Sequence, residues 1–124
     1  MSARYATTLD AHFRGDTFIY TGTLAEGYTG LSFTGGMKFT LRRHIPSSGT
    51  TTDDAAIAQG SVTTGHITFS GQMVTVTFSG EATNDWPAAL LYWDLQGVIS
   101  GAPDIVQTID AGTIQIVGDV TRST

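Results

Sequence analysis

The run Leu90-Leu91-Tyr92-Trp93-Asp94-Leu95-Gln96 sets the tightest limit on what this chain can fold into. In an extended strand, successive side chains point to opposite faces. Leu91, Trp93 and Leu95 then share one face, while Tyr92, Asp94 and Gln96 share the other. A face carrying a tryptophan and two leucines has to be covered by a second layer. The run therefore predicts a central strand over 90–98, with Trp93 in the core and Asp94 on the far side.

The same alternation recurs along the chain, punctuated by glycine, proline and asparagine. Residues 16–23 place Phe18 and Tyr20 on one face and Ile19 on the other. In 37–41, Met37, Phe39 and Leu41 point inward and Lys38, Thr40 and Arg42 outward. Runs 66–69 and 74–78 read as a hairpin through Ser70-Gly71-Gln72, with Thr75 and Thr77 facing solvent. Runs 105–109 and 113–120 read as a closing hairpin through Asp110-Ala111-Gly112, with Ile114, Ile116 and Val120 inward. Ala55-Ala56-Ile57-Ala58 reads as a short strand in preference to a helical turn. Residues 5–13 alternate weakly and fit either a first strand or an extended arm.

Between these runs lie the loops 26–30, 46–54 and 83–87. The stretch 46–54 is the longest without periodicity and is expected to be exposed and mobile. Pro87 has no N–H for a ladder, which puts it at a strand entrance. No segment of helical length carries a 3.6-residue period, and no repeat recurs at a fixed spacing. Seven to nine short strands with frequent turns predict an all-β sandwich or small barrel. With 124 residues, one domain is expected: an N-terminal arm or edge strand over 1–14 and a sandwich over 15–124.

Composition narrows the function. Hydrophobic residues make up 40% and charged residues 14%, which is unlike a disordered chain. A net charge of −5 with only six basic residues argues against nucleic-acid partners, which require a positive field. Arg42-Arg43-His44 is the one basic cluster and reads as a solvated strand end. The absence of cysteine removes disulfides, thiol catalysis and cysteine-ligated zinc. Met1-Ser2-Ala3-Arg4-Tyr5 is followed by no apolar h-region, and no apolar run nears the roughly 18 residues of a membrane span. The expectation is a soluble chain made in the cytoplasm, with no membrane partner, that reaches the outside only by a route such as lysis.

No catalytic pattern emerges, and neither an enzyme nor a cofactor is expected. His12, His44 and His66 share no metal-ligand spacing, and the scattered aspartates follow no calcium-loop spacing. No serine stands in a Gly-x-Ser-x-Gly elbow. Glu81 and Asp85 are two carboxylates in one loop, and Asp85 reads as the cap of the turn before Trp86. Trp86 itself is a large apolar residue in a polar loop. It either folds back over the end of the sandwich beside Pro87 or anchors an interface. Tyr28 carries the same two readings.

Four short motifs occur in order: Gly15-Asp16-Thr17-Phe18; Gly30-Leu31 leading to Met37-Lys38-Phe39-Thr40-Leu41-Arg42; Gly80-Glu81-Ala82-Thr83 leading to Tyr92-Trp93-Asp94-Leu95-Gln96; and Gly112-Thr113-Ile114 leading to Asp119-Val120-Thr121. In this order the chain resembles, from Gly15 onward, the small immunoglobulin-like domain of tailed-bacteriophage structural proteins, the type found at the N-terminus of baseplate upper proteins and in short stand-alone virion components. The resemblance implies an immunoglobulin-like antiparallel β-sandwich whose fold is marked by Gly15, Asp16, Thr17, Trp93, Asp94, Asp119 and Thr121. It carries over no catalytic residue. Ala88-Ala89-Leu90-Leu91 departs from the family pattern, which has a glycine and a tyrosine before the Tyr-Trp-Asp piece. Relatives with receptor-side functions continue into further domains, so this chain is expected to be an adaptor or decoration.

The leading expectation is therefore a non-catalytic virion component, at the tail or baseplate, on the capsid, or at the base of a head fibre. Its partners are other virion proteins and copies of itself. Candidate interface residues are Tyr5 in the arm, Tyr28, Thr50 and Trp86, with residues 2–13 as a strand that a neighbour's sheet edge accepts. The alternatives are a carbohydrate-binding sandwich using Trp86, Tyr28 and Tyr92, and a hydrolase using Glu81 and Asp85.

Overall fold

The computed structural model describes residues 7–43 and 56–118. Nine strands run through them: β1 (Thr7–Thr8), β2 (His12–Phe13), β3 (Phe18–Thr23), β4 (Gly36–Arg42), β5 (Ala56–Ser61), β6 (Ile67–Ser70), β7 (Met73–Phe78), β8 (Leu90–Ile99) and β9 (Ile105–Val117). A 3₁₀ turn at Gly30–Ser32 and one helical turn, α1 (Gly80–Thr83), interrupt them.

The strands form two sheets. One has the order β1-β9-β8-β4-β5, with β2 also on β9; the other is β3-β7-β6. The chain is an all-β sandwich. Its strand order is that of immunoglobulin-like sandwiches, in which the last strand, its hairpin partner and the strand after the first crossover share one sheet. One point differs from a wholly antiparallel expectation. β1 and β2 run parallel to β9, with Thr7 beside Gly112 and Phe13 beside Val117. From Thr7 onward the N-terminal segment is thus an edge strand on the molecule's own sheet, and residues 7–13 are not a free arm.

The inward parity follows the alternation. Phe39, Leu41, Val74, Val76, Leu91, Trp93 and Leu95 are almost wholly buried. Each aliphatic or aromatic side chain removed from water in this way contributes about 1.5–3 kcal/mol. Trp93 lies at the centre, stacked on Phe39 at 5.7 Å and tilted against Tyr20 at 4.9 Å. It is the core residue that its strand parity predicts.

Two expectations need correction. Asp110-Ala111-Gly112 is not a hairpin turn, because β9 is one continuous strand. Its register against β8 slips once, from Leu95 beside Asp110 to Gln96 beside Thr108, leaving Ile109 as an extra residue. A single-residue bulge of this kind bends a strand without ending it. Gly112 is needed for another reason: a Cβ there would overlap the carbonyl oxygen of Thr7 in β1. The second correction concerns the outward face of β4 and β8. Arg42 does not end in solvent. Arg42, Thr40 and Asp94 are all buried, and the Arg42 guanidinium lies 3.5 Å from the Asp94 carboxylate. Both strands are interior to the sheet, the pair flanked by β9 on one side and β5 on the other.

Candidate functional site

The sequence-predicted residues do not assemble into one site. Trp86 is buried and packs edge-on against Phe18 and Phe78 at 5.6 and 5.5 Å. As an interface anchor or sugar platform it is therefore corrected: its indole closes the core at the end of the sandwich where β8 begins. Local geometry puts it there. Ser79 caps α1 by accepting from the Ala82 N–H, and the turn continues through Trp86 N–H to Thr83 O at 3.0 Å. Ser79, and not Asp85, carries the side-chain cap.

Tyr28 lies toward the other end of β8. It is half-buried, stacked on Phe33 at 5.7 Å, and Phe33 in turn packs over Gly97. Tyr92 is half-buried. Tyr5, Thr50, Asp119 and Thr121 lie outside the described residues.

The fold-marking residues near the start have a defined role. Gly15 adopts φ 94°, a conformation that favours glycine, and its N–H donates to Thr83 Oγ1 at 3.0 Å. The Thr83 hydroxyl in turn donates to the Asp16 carbonyl at 2.8 Å. Thr83 is fully buried, so this exchange locks the β2–β3 corner onto α1. Asp16 and Thr17 have exposed side chains.

Glu81 and Asp85 are both exposed. Among the described residues no group of three histidines, cysteines or carboxylates is placed to hold a metal ion. His66 Nδ1 lies 2.7 Å from Thr64 Oγ1, beside Phe78, and His12 Nε2 lies 2.9 Å from the Asp16 carbonyl oxygen. No helix of the described residues is long and apolar enough to cross a membrane.

A concave feature that sequence reasoning missed is a slot of about 550 Å³ between β3 and the N-terminal strands, lined by Leu9, His12, Phe18, Tyr20, Asp110 and Ile114 among others. Neither Glu81 nor Asp85 borders it. At its floor Tyr20 donates to Asp110 Oδ2 at 2.6 Å. The other oxygen of Asp110 accepts from Thr7 Oγ1 and from the Ala111 N–H, each at 2.9 Å. Burial pushes the Tyr20 hydroxyl pKa well above the ordinary tyrosine value, and the bond and charge of Asp110 push it the same way. Tyr20 is therefore a neutral donor at any physiological pH. Both oxygens of Asp110 are engaged in joining β9 to β1 and to β3, so the cluster ties strands together. The signal for it was an aspartate inside an apolar run, which the turn reading had absorbed.

The slot is open because β3 is the edge of its sheet. In an antiparallel ladder the N–H and C=O of one residue point to the same side, and successive residues alternate. Leu24 N–H bonds to Gln72 O, so Phe18, Tyr20 and Gly22 also face β7. The backbone groups of Ile19, Thr21 and Thr23 then point out of the sheet, at an edge that no described strand covers.

No protein-family model matches this chain, and no curated protein matches it.

Proposed function

We propose that this protein is a non-catalytic structural component of a bacteriophage virion, an immunoglobulin-like adaptor or decoration domain that works through protein–protein contacts. The observation that carries the reading is the β8–β9 hairpin. β4 stops pairing at Gly36, opposite Val98, and the hairpin continues beyond it to the Ile99–Ile105 pair. Past that point no described strand flanks it, and the Ser100 N–H donates to Thr34 Oγ1 at 3.0 Å. At this end Ile105 is 54% exposed, and Val106, level with Gly36 across Val98 and on the opposite face of the strand, is 59% exposed. Apolar side chains exposed on both faces of a hairpin end suit a surface that a partner covers. A rigid two-layer body that presents such an end fits a part that plugs into an assembly. The ordered likeness of Gly15-Asp16-Thr17-Phe18 and Tyr92-Trp93-Asp94-Leu95-Gln96 to phage structural domains supplies the virion setting.

Immunogold labelling of purified particles from the phage that encodes the chain tests this. Label at one fixed position, head or tail, is expected on the particles. Replacing Ile105 and Val106 with aspartate is expected to abolish incorporation while leaving the circular dichroism spectrum unchanged. Particles free of the protein would overturn the reading.

A further inference from the structure

We infer that β3 is a self-pairing edge, through which two copies of this chain join antiparallel about Thr21 into one six-stranded sheet.

An exposed strand edge is a template for another strand, and proteins guard such edges with charge, proline, bulges or a covering segment. β3 has none of these among the described residues. Its sequence, Phe18-Ile19-Tyr20-Thr21-Gly22-Thr23, contains no charge and no proline, and its pairing with β7 runs without a register slip. What it offers outward is a row of three N–H and C=O pairs at Ile19, Thr21 and Thr23. The chemistry that satisfies such a row is an extended backbone.

The spacing of that row favours a second copy. A two-fold axis through Thr21 sets Thr21 against Thr21 of the partner copy, Ile19 against the partner's Thr23, and Thr23 against the partner's Ile19. All three are residues whose groups point outward, so every pair is of the hydrogen-bonded kind, and all outward groups on both strands are used at once. A shift by one residue would face outward groups against inward ones.

The joint itself contains no charged strand residue. Two copies of a chain of net charge −5 repel each other over most of their surfaces. β3 lets them meet where neither carries charge. Of the two carboxylates lining the slot, Asp110 is held by Tyr20, Thr7 and Ala111, and Asp10 lies in the segment between β1 and β2. The apolar side chains agree. Ile19, on the outer face of β3, is 63% exposed, and Met73, beside Thr23 on that same face, is 52% exposed. Pairing places the partner's Ile19 next to Thr23, so the row across the joint reads Met73, Thr23, Ile19 of the partner copy. The two apolar side chains then flank Thr23 on one continuous face.

This inference goes beyond the virion assignment, and the two fail separately. A monomeric protein that still labels particles would remove the pairing alone; a β3 dimer absent from particles would remove the virion assignment alone. The experiment is sedimentation together with cross-linking on the full chain. The native chain has no cysteine, so Thr21→Cys adds a single thiol at the two-fold axis. Residues paired in this way have Cα atoms about 5.5 Å apart, within disulfide reach. Wild type is expected to sediment as a dimer, and mild oxidation is expected to convert most of Thr21→Cys to a covalent dimer, while Thr77→Cys on β7 stays uncoupled. Ile19→Lys and Thr21→Pro are each expected to give a monomer, the lysine variant with a native circular dichroism spectrum. A wild type that stays monomeric at high concentration would overturn the inference. So would a dimer that survives Ile19→Lys, or one that cross-links no better through Thr21→Cys than through Thr77→Cys; in each case the edge belongs to a different partner or to none.

Discussion

Tyr20 of β3 and Asp110 of β9 are joined by a 2.6 Å hydrogen bond that spans the two sheets of the sandwich at the side where it is open. Elsewhere the layers are held by apolar packing, which has little directional preference. Here a hydroxyl and a carboxylate fix the distance between the β3 edge and the strand that carries β1. Tyr20→Phe keeps the ring against Trp93 and leaves Asp110 Oδ2 without this donor. The expected cost is about 1–3 kcal/mol at neutral pH, measured by urea denaturation.

The same bond gives the fold an alkaline limit. The Tyr20 pKa is raised in the folded state, chiefly by burial and then by Asp110. An unfolded chain ionises the residue near pH 10, whereas the folded chain keeps it protonated. The stability it contributes is therefore fully present below about pH 10 and is lost as pH rises toward the folded-state value, at up to about 1.4 kcal/mol per pH unit. Denaturation midpoints of the wild type should fall more steeply than those of Tyr20→Phe as pH passes 10. Parallel curves for the two proteins would contradict this.

Both tryptophans of the chain are enclosed, Trp86 at one end of the core and Trp93 at its centre. Intrinsic emission is expected to be blue-shifted and resistant to iodide quenching in the native state. Trp86→Ala should cost about 3–5 kcal/mol, the range for truncating a buried aromatic ring. A surface anchor would instead quench readily and truncate at small cost.

Asp94→Ala tests the buried outer face. It leaves the Arg42 guanidinium without the carboxylate 3.5 Å away. Removing one partner of a buried ion pair destabilises by about 3–5 kcal/mol, far more than an exposed pair would. A change under 1 kcal/mol in thermal or urea unfolding would show that water reaches this face.

Gly112→Ala is expected to detach β1 selectively. The new methyl group takes the space of the Thr7 carbonyl oxygen, which lies in an edge strand only two residues long. The edge gives way before the core does. Amide exchange should speed up at Leu9 and Thr113 while the amides of β4 and β8 stay protected. Uniform loss of protection would mean that β1 is integral to the cooperative fold.

Much of the architecture was legible because it is local. Met37, Phe39 and Leu41, like Leu91, Trp93 and Leu95, announce their face by period-two alternation, and the structure keeps that parity. What could not be read depends on partners distant in sequence. Asp110-Ala111-Gly112 has turn composition, yet the glycine answers to Thr7, 105 positions away, and the aspartate to Tyr20, 90 positions away. Arg42 looks solvated beside Arg43 until β5 and β8 flank its strand. Trp86 sits in a polar stretch, and only the Ser79 and Thr83 turn brings its indole back over Phe18 and Phe78. The slot was invisible for the same reason: it is bounded by β3 and by strands paired in parallel to the far end of the chain.

That parallel pairing has a mechanical consequence. β1 and β2 run in the same direction as β9, so the backbone enters at Thr7 at one end of the ladder and reaches Val117 at the other. A tensile load applied between these two points pulls the strands lengthwise past each other. The bonds from Leu9 N–H to Thr113 O and from Arg14 N–H to Val117 O are then strained together, where an antiparallel edge would open one rung at a time. The domain is built to resist stretching along its long axis, and single-molecule pulling should show an abrupt rupture at this seam before the rest of the sandwich unravels.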